Sequence, residues 1–190
     1  MTTPALVTAS FMATALVAGA AALDREVAQD TFADTHAVIQ FQRAADSYAF
    51  LHRQVERRIG QAHRRTGQAS DLIAAGELRT AIMAERSTAL ESPLFTPEVV
   101  TAFRNMAGKA SRTGCDPGEL RTGLWEMFHQ INSPATGTRP VNECIAAALP
   151  ALPDELEYRS AGTVLLLVDG HADLVVDVLP ALLAGSEIRR

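Results

Sequence analysis

The sequence predicts a mainly α protein, an antiparallel bundle of about four helices with a small C-terminal β-hairpin and a closing helix. Three observations carry this expectation. Ala37 to Arg65 keeps one helical period without a break, with Phe41, Ala45, Tyr48, His52, Val55 and Ile59 at alternating spacings of four and three. Two later segments, Thr96-Pro97-Glu98 and Asp116-Pro117-Gly118-Glu119, open with the residues that helix starts require. Beyond residue 154 the helical period gives way to short apolar runs separated by turn residues, the pattern of a hairpin. A chain of 190 residues suits one domain with a substantial core.

Residues 1 to 22 carry no charge, and Asp24, Arg25 and Glu26 follow abruptly. An apolar core from Ala5 to Val17 followed by small residues reads as a secretory signal with a cleavage site. The alternative is an uncleaved membrane anchor, since 22 helical residues reach about 33 Å. On either reading, residues 23 to 190 form a single helical domain. The long helix runs to about Arg65, where Gly67 offers a stop.

A second helix starts at Ser70 or Asp71, turns Leu72, Ala75, Leu78, Ile82 and Ala89 inward, and ends before Ser92-Pro93. The third opens at Thr96, with proline where its missing N–H costs nothing and Glu98 near the positive end of the helix dipole. Val99, Val100, Phe103, Met106 and Ala110 line its inner side. The fourth buries Leu120, Leu124, Met127, Phe128 and Ile131 and stops at Asn132-Ser133-Pro134. Residues 132 to 154 form a proline-broken connector in which only Asn142 to Leu149 suits a short helix. In the C-terminal part, 155 to 185, Leu156 to Arg159 and Val164 to Val168 read as the hairpin. Ala172 to Leu183 is either a third strand or a closing helix. The spacing of Leu174, Val175, Val178, Leu179 and Leu182 favours the helix, against the β-branched pair Val175-Val176.

Cys115 and Cys144 are the two cysteines. In an exported chain an even count points to a disulfide, here closing a loop that contributes about 3.5 kcal/mol on the chain-entropy model. The alternative is two separate buried thiols. No C-x-x-C occurs, which excludes a thioredoxin-like redox motif. A formal net charge of -5 argues against nucleic acid as a partner. That charge is uneven: residues 43 to 65 hold six arginines, whereas residues 143 to 187 hold eight carboxylates and only Arg159.

Tyr48-Ala-Phe-Leu-His-Arg53, Phe95-Thr-Pro-Glu-Val99, Leu149-Pro-Ala-Leu-Pro153 with Leu156-Glu-Tyr-Arg159, and Leu165-Leu-Leu-Val-Asp169 with His171-Ala-Asp-Leu-Val-Val-Asp177 occur in that order along the chain. Together they resemble a family of uncharacterised bacterial proteins with predicted export signals. The resemblance spans nearly all of the chain after residue 22 and implies no activity and no assigned residue roles. The chain departs from the pattern at Asn142-Glu-Cys-Ile145 and at Gly170.

Candidate binding residues are Tyr48, His52, Arg53, Glu56, Asp169 and His171. Tyr48, His52 and Glu56 stand one helical turn apart, which lets a carboxylate orient an imidazole as a base or a metal ligand. The competing reading is a core histidine satisfied by its neighbours. Asp169-Gly170-His171, with Asp173 and Asp177, places an imidazole among carboxylates at a turn, although Asp and Gly also serve a turn for backbone reasons alone. Glu126 and His129 show the Glu-x-x-His spacing of di-metal bundles, but only one copy exists and such a centre needs two. The motifs G-x-S-x-G, H-E-x-x-H and G-x-G-x-x-G are absent. No catalytic residues and no cofactor are implied.

These features predict a noncatalytic exported protein, periplasmic or secreted, acting as a binding or structural component of the bacterial cell envelope with a protein partner there. Two alternatives stand beside it. One is a metal-binding protein or metalloenzyme centred on His52 and Glu56. The other is an accessory subunit held at a membrane by residues 1 to 22, the only case in which membrane contact is expected.

Overall fold

A computed structural model of the protein describes residues 17–66, 73–89, 93–116, 120 and 130–183. Its elements run α1 (Val17–Thr66), α2 (Ala75–Ala89), α3 (Pro97–Arg112), β1 (Arg139–Pro140), α4 (Glu143–Ala148), β2 (Leu156–Ala161), β3 (Val164–Asp169) and β4 (Leu174–Leu179). The strands form one antiparallel sheet in the order β1-β2-β3-β4. The mainly helical bundle expected from the sequence is therefore corrected to helices packed on a four-stranded antiparallel sheet.

Along α1 all six positions of the apolar period are buried: Phe41, Ala45, Tyr48, His52, Val55 and Ile59. The helix packs against α2 and α3. Thr96 caps α3 as its sequence implies, its hydroxyl accepting from the Val99 N–H, with Pro97 in the first turn. Aromatic contacts tie the layers together. Phe41 stacks on Phe95 at 5.8 Å and meets Phe103 edge-on at 4.8 Å, and Phe103 reaches Tyr158 of β2 at 6.0 Å.

The segment expected to close the fold as a helix is instead β4. A register shift between Leu167 and Val168 of β3, where Asp177 and Val175 become successive partners, inserts an extra residue into β4. This bulge breaks strict alternation, so Leu174, Val176 and Leu179 face the main core while Val175 and Val178 join a second cluster. The resulting spacing imitates a helical period. Backbone bonds to β3 and the β-branched run decide in favour of the strand.

The other helices need smaller adjustments. The start expected at Ser70 or Asp71, the stop at Gly67, Leu72, and the body of the fourth helix at 121–129, including Glu126 and His129, lie outside the described residues. Leu120 is buried, whereas Ala75 and Ile131, expected inside, are exposed. The connector holds β1 and also α4, capped by the Asn142 side chain on the Cys144 N–H. A disulfide joins Cys115, just beyond α3, to Cys144 in the first turn of α4. Among the described residues no helix is long and apolar enough to cross a membrane.

Candidate functional site

Tyr48, His52 and Glu56 lie one turn apart on α1, and the buried face of that helix points Tyr48 and His52 at the turn after β3. Asp169, the last residue of β3, is fully buried there. Its Oδ2 accepts from the Tyr48 hydroxyl at 2.7 Å and lies 2.6 Å from His52 Nδ1. Its Oδ1 accepts the Ala172 N–H at 2.8 Å. One carboxylate therefore orients the imidazole and holds the 170–173 turn, which presents His171.

The second ring nitrogen of His52 is different. The residue is 0% exposed, and its Nε2 has no hydrogen-bond partner among the described residues. Glu56 Oε2 stands 3.9 Å from that nitrogen, and the His171 ring lies edge-on to His52 with centroids 5.4 Å apart. One potential ligand atom from each of His52, Glu56 and His171 lies within 4.8 Å of the others. For bonds of about 2.0 to 2.2 Å, tetrahedral ligand atoms sit about 3.4 Å apart, so closing on an ion takes only small side-chain movements. Glu56 and His171 are free to make them, being half-exposed and exposed.

The electrostatics of the three buried groups follow from this geometry. Burial opposes an imidazolium at His52, but the hydrogen bond and charge of Asp169, with Glu56 and Glu155 adding, raise its pKa above the ordinary value. Burial likewise opposes ionisation of Asp169, yet the bonds from His52, Ala172 and Tyr48 hold its pKa below the carboxylate norm. The Tyr48 phenol is pushed far upward, first by burial and then by the Asp169 charge, and so remains a donor. An ionised acceptor on Nδ1 assigns the proton to that nitrogen and leaves Nε2 as the lone-pair atom of the neutral ring. A carboxylate behind a ligating imidazole is the usual support of a metal-bound histidine.

Arg53, next to His52 on α1, donates to Glu155 Oε1 at 2.7 Å. Five of the six candidate residues thus converge directly, and Arg53 borders them through Glu155. The other titratable candidates serve elsewhere. Asp173 pairs with Arg79, and Asp177 accepts the Phe95 N–H at 2.8 Å. A mostly apolar groove of about 520 Å³ between α1 and α3, lined by His36, Glu98 and Thr101 among others, contains none of the six.

Two participants escape sequence reasoning. Glu155 directly follows a proline-rich connector without periodicity, and only the fold carries it to Arg53. Arg86 of α2 lies over the Tyr48 ring at 5.6 Å and donates to the Val176 carbonyl at 2.9 Å. Burial lowers its pKa while Tyr48, Asp177 and Asp169 oppose that shift. No local pattern marks either residue, since both act across elements far apart in the chain.

No protein-family model matches the chain, and neither a curated protein nor a solved structure is significantly similar to it.

Proposed function

We propose that the protein binds one divalent transition-metal ion, zinc(II) by preference, through His52 Nε2, the Glu56 carboxylate and a His171 ring nitrogen. The observation that carries this is the buried Nε2 of His52, without a hydrogen-bond partner among the described residues and grouped with Glu56 and His171, with its opposite nitrogen fixed by Asp169. An unpartnered buried imidazole nitrogen is costly, and a cation on that nitrogen removes the cost. Nitrogen and oxygen donors in a two-histidine, one-carboxylate set suit zinc and its neighbours better than calcium or magnesium.

The location belongs to the same proposal. The protein acts as an exported binding component, periplasmic or secreted, of a bacterial envelope. The Cys115–Cys144 disulfide, the uncharged first 22 residues and the motif resemblance support this reading. An intact-mass measurement of the natural protein tests it through the fate of those residues.

Titration of the chelator-stripped full chain with Co(II), read by visible absorption and competed with Zn(II), tests the metal site. One saturable equivalent is expected, weakened at least tenfold by His171→Ala and by Glu56→Gln. A titration without a saturable step overturns it. A second reading, a purely structural polar centre, draws on Asp169, whose two oxygens are engaged by Tyr48, His52 and Ala172. That reading expects no metal step at all.

A further inference from the structure

Glu155 is a second anomaly beside the first. It is only 7% exposed, its Oε1 takes the Arg53 guanidinium, and its Oε2 is buried without a hydrogen-bond partner among the described residues. Two bonds fix its position against the metal ligands. Arg53 is the residue after His52, and the Glu155 carbonyl accepts the N–H of Gly170, the residue before His171. A carboxylate oxygen without a donor among the described residues thus lies near enough to His52 for the Glu155 charge to act on its ring.

We propose that the ion at His52, Glu56 and His171 activates a water for hydrolysis of uncharged carbonyl compounds, esters foremost, and that Glu155 Oε2 takes the proton of that water. The inference rests on the metal reading above. An ion with three protein ligands keeps a position for water and lowers its pKa, and a neighbouring carboxylate completes deprotonation. One water O–H bond breaks and its proton moves to Glu155. The hydroxide oxygen bonds to the carbonyl carbon, and the C=O π pair moves to the carbonyl oxygen, which the cation stabilises. On collapse the ester C–O bond breaks, the leaving oxygen takes the proton from Glu155, and acid and alcohol depart.

Charge selects the substrate class. Glu56 on α1 stands at Nε2 of His52, Asp169 of β3 lies behind the ring at Nδ1, Glu155 before β2 pairs with Arg53, and Glu157 of β2 stands against Gly170. Of the cations around them, Arg53 and Arg159 are paired with Glu155 and Glu157, and Arg86 lies over the Tyr48 ring with its guanidinium on the Val176 carbonyl. Glu56 and Asp169 offset a divalent ion, and the paired Arg53 and Arg159 add no surplus positive charge for a phosphate ester. Side-chain exposure of 46% at Glu56 leaves the site open to a small ester from solvent.

The test uses the full chain loaded with Co(II) or Zn(II), with p-nitrophenyl acetate as carbonyl probe and bis(p-nitrophenyl) phosphate as the charged one. Hydrolysis of the acetate above that by free metal is expected, with at least tenfold less on the phosphate. Glu155→Gln is expected to keep the Co(II) spectrum, the one-equivalent stoichiometry and the melting temperature, while kcat falls about 100-fold or more. If Glu155→Gln does not fold, Glu155→Asp, which retains the charge opposite Arg53, is expected to keep the spectrum and lose at least tenfold in kcat. A Glu155 variant with bound metal and an unchanged rate overturns the inference, as does metal-loaded protein no faster than free metal. Preference for the phosphate overturns the substrate class. Absence of a Co(II) spectrum is a separate failure, that of the metal site itself.

Discussion

His52 Nδ1 lies 2.6 Å from Asp169 Oδ2, across 117 positions of sequence, with both side chains excluded from solvent. This contact is where the longest helix meets the turn between β3 and β4, and it has two consequences that can be measured apart. Neutralising a buried carboxylate that accepts from Tyr48, His52 and Ala172 turns one of its acceptor oxygens into a donor facing donors, at a cost of about 3 kcal/mol. Asp169→Asn is therefore expected to lower unfolding free energy by about that amount, read as a drop in the urea midpoint at unchanged m-value. In the proposed metal site Asp169 supports a ligand rather than being one, so the same variant is expected to lose about 10- to 100-fold in metal affinity.

Tyr48 donates to the same oxygen but does not touch His52's free nitrogen. Tyr48→Phe removes one hydrogen bond to a charged acceptor, for an expected loss of about 1.5 to 3 kcal/mol. Two bonds to Asp169 remain, so metal affinity in this variant is expected to fall less than in Asp169→Asn. Urea denaturation and Co(II) titration on one preparation give both readings. An equal loss of affinity in the two variants contradicts the assignment of Asp169 as the group that orients the imidazole.

The helix face of this contact is legible in the sequence and the strand face is not. Phe41 through Ile59 repeat with a period only a helix satisfies, and all six positions are buried. At Leu174–Leu179 one bulge turns a strand's alternation into a helix-like spacing, so periodicity there points to the wrong element. Asp169 and His171 stand out because a turn concentrates polar residues, but nothing local says that the turn folds onto His52. Glu155 and Arg86 are beyond reach for a related reason: each acquires its partners only through pairing of segments about 90 to 100 positions apart.

Cys115–Cys144 closes a span of 29 positions and anchors the six-residue α4, whose buried residue is Ile145. A crosslink of that span contributes about 3.5 kcal/mol on the chain-entropy model. The double variant Cys115→Ser, Cys144→Ser is expected to lose stability of that order. Parent protein under reducing conditions is expected to match it. Urea curves with and without dithiothreitol make the comparison, and a reductant-insensitive parent midpoint contradicts it.

Phe103 is fully buried and contacts Phe41, Phe95 and Tyr158 through its ring, so it joins α1, the start of α3 and β2. Truncating a buried aromatic side chain costs about 3 to 5 kcal/mol, from lost burial and from the cavity left behind. Phe103→Ala is expected to fall in that range, whereas Phe50→Ala, at a position 56% exposed on α1, is expected to change stability by about 0.5 kcal/mol or less. Thermal and urea unfolding of the two variants side by side check whether the core lies on the sheet side of α1.

Asp177 and Asp169 are both buried acids of the sheet, yet their environments move them in opposite directions. At Asp177 burial prevails over the N–H groups of Phe95, Val178 and Leu94 and over the charge of Arg86, so its folded pKa is raised. The folded state then holds that proton more tightly than the unfolded chain. Its stabilising contribution is full below the unfolded value of about 3.9 and is lost as pH rises through the folded value. At Asp169 the folded pKa is lowered. Its contribution is present above about 3.9 and is lost as pH falls through the folded value. Asp177→Asn removes only the first effect, at a constant cost from one acceptor turned into a donor. The metal-free parent is therefore expected to lose stability relative to Asp177→Asn as pH rises from about 4, while both lose stability together toward lower pH. Urea midpoints at half-unit steps between about pH 2.5 and 7 resolve the two slopes. Parallel curves throughout that range would mean that Asp177 is held ionised by Arg86 and the three N–H groups as firmly as water holds it in the unfolded chain.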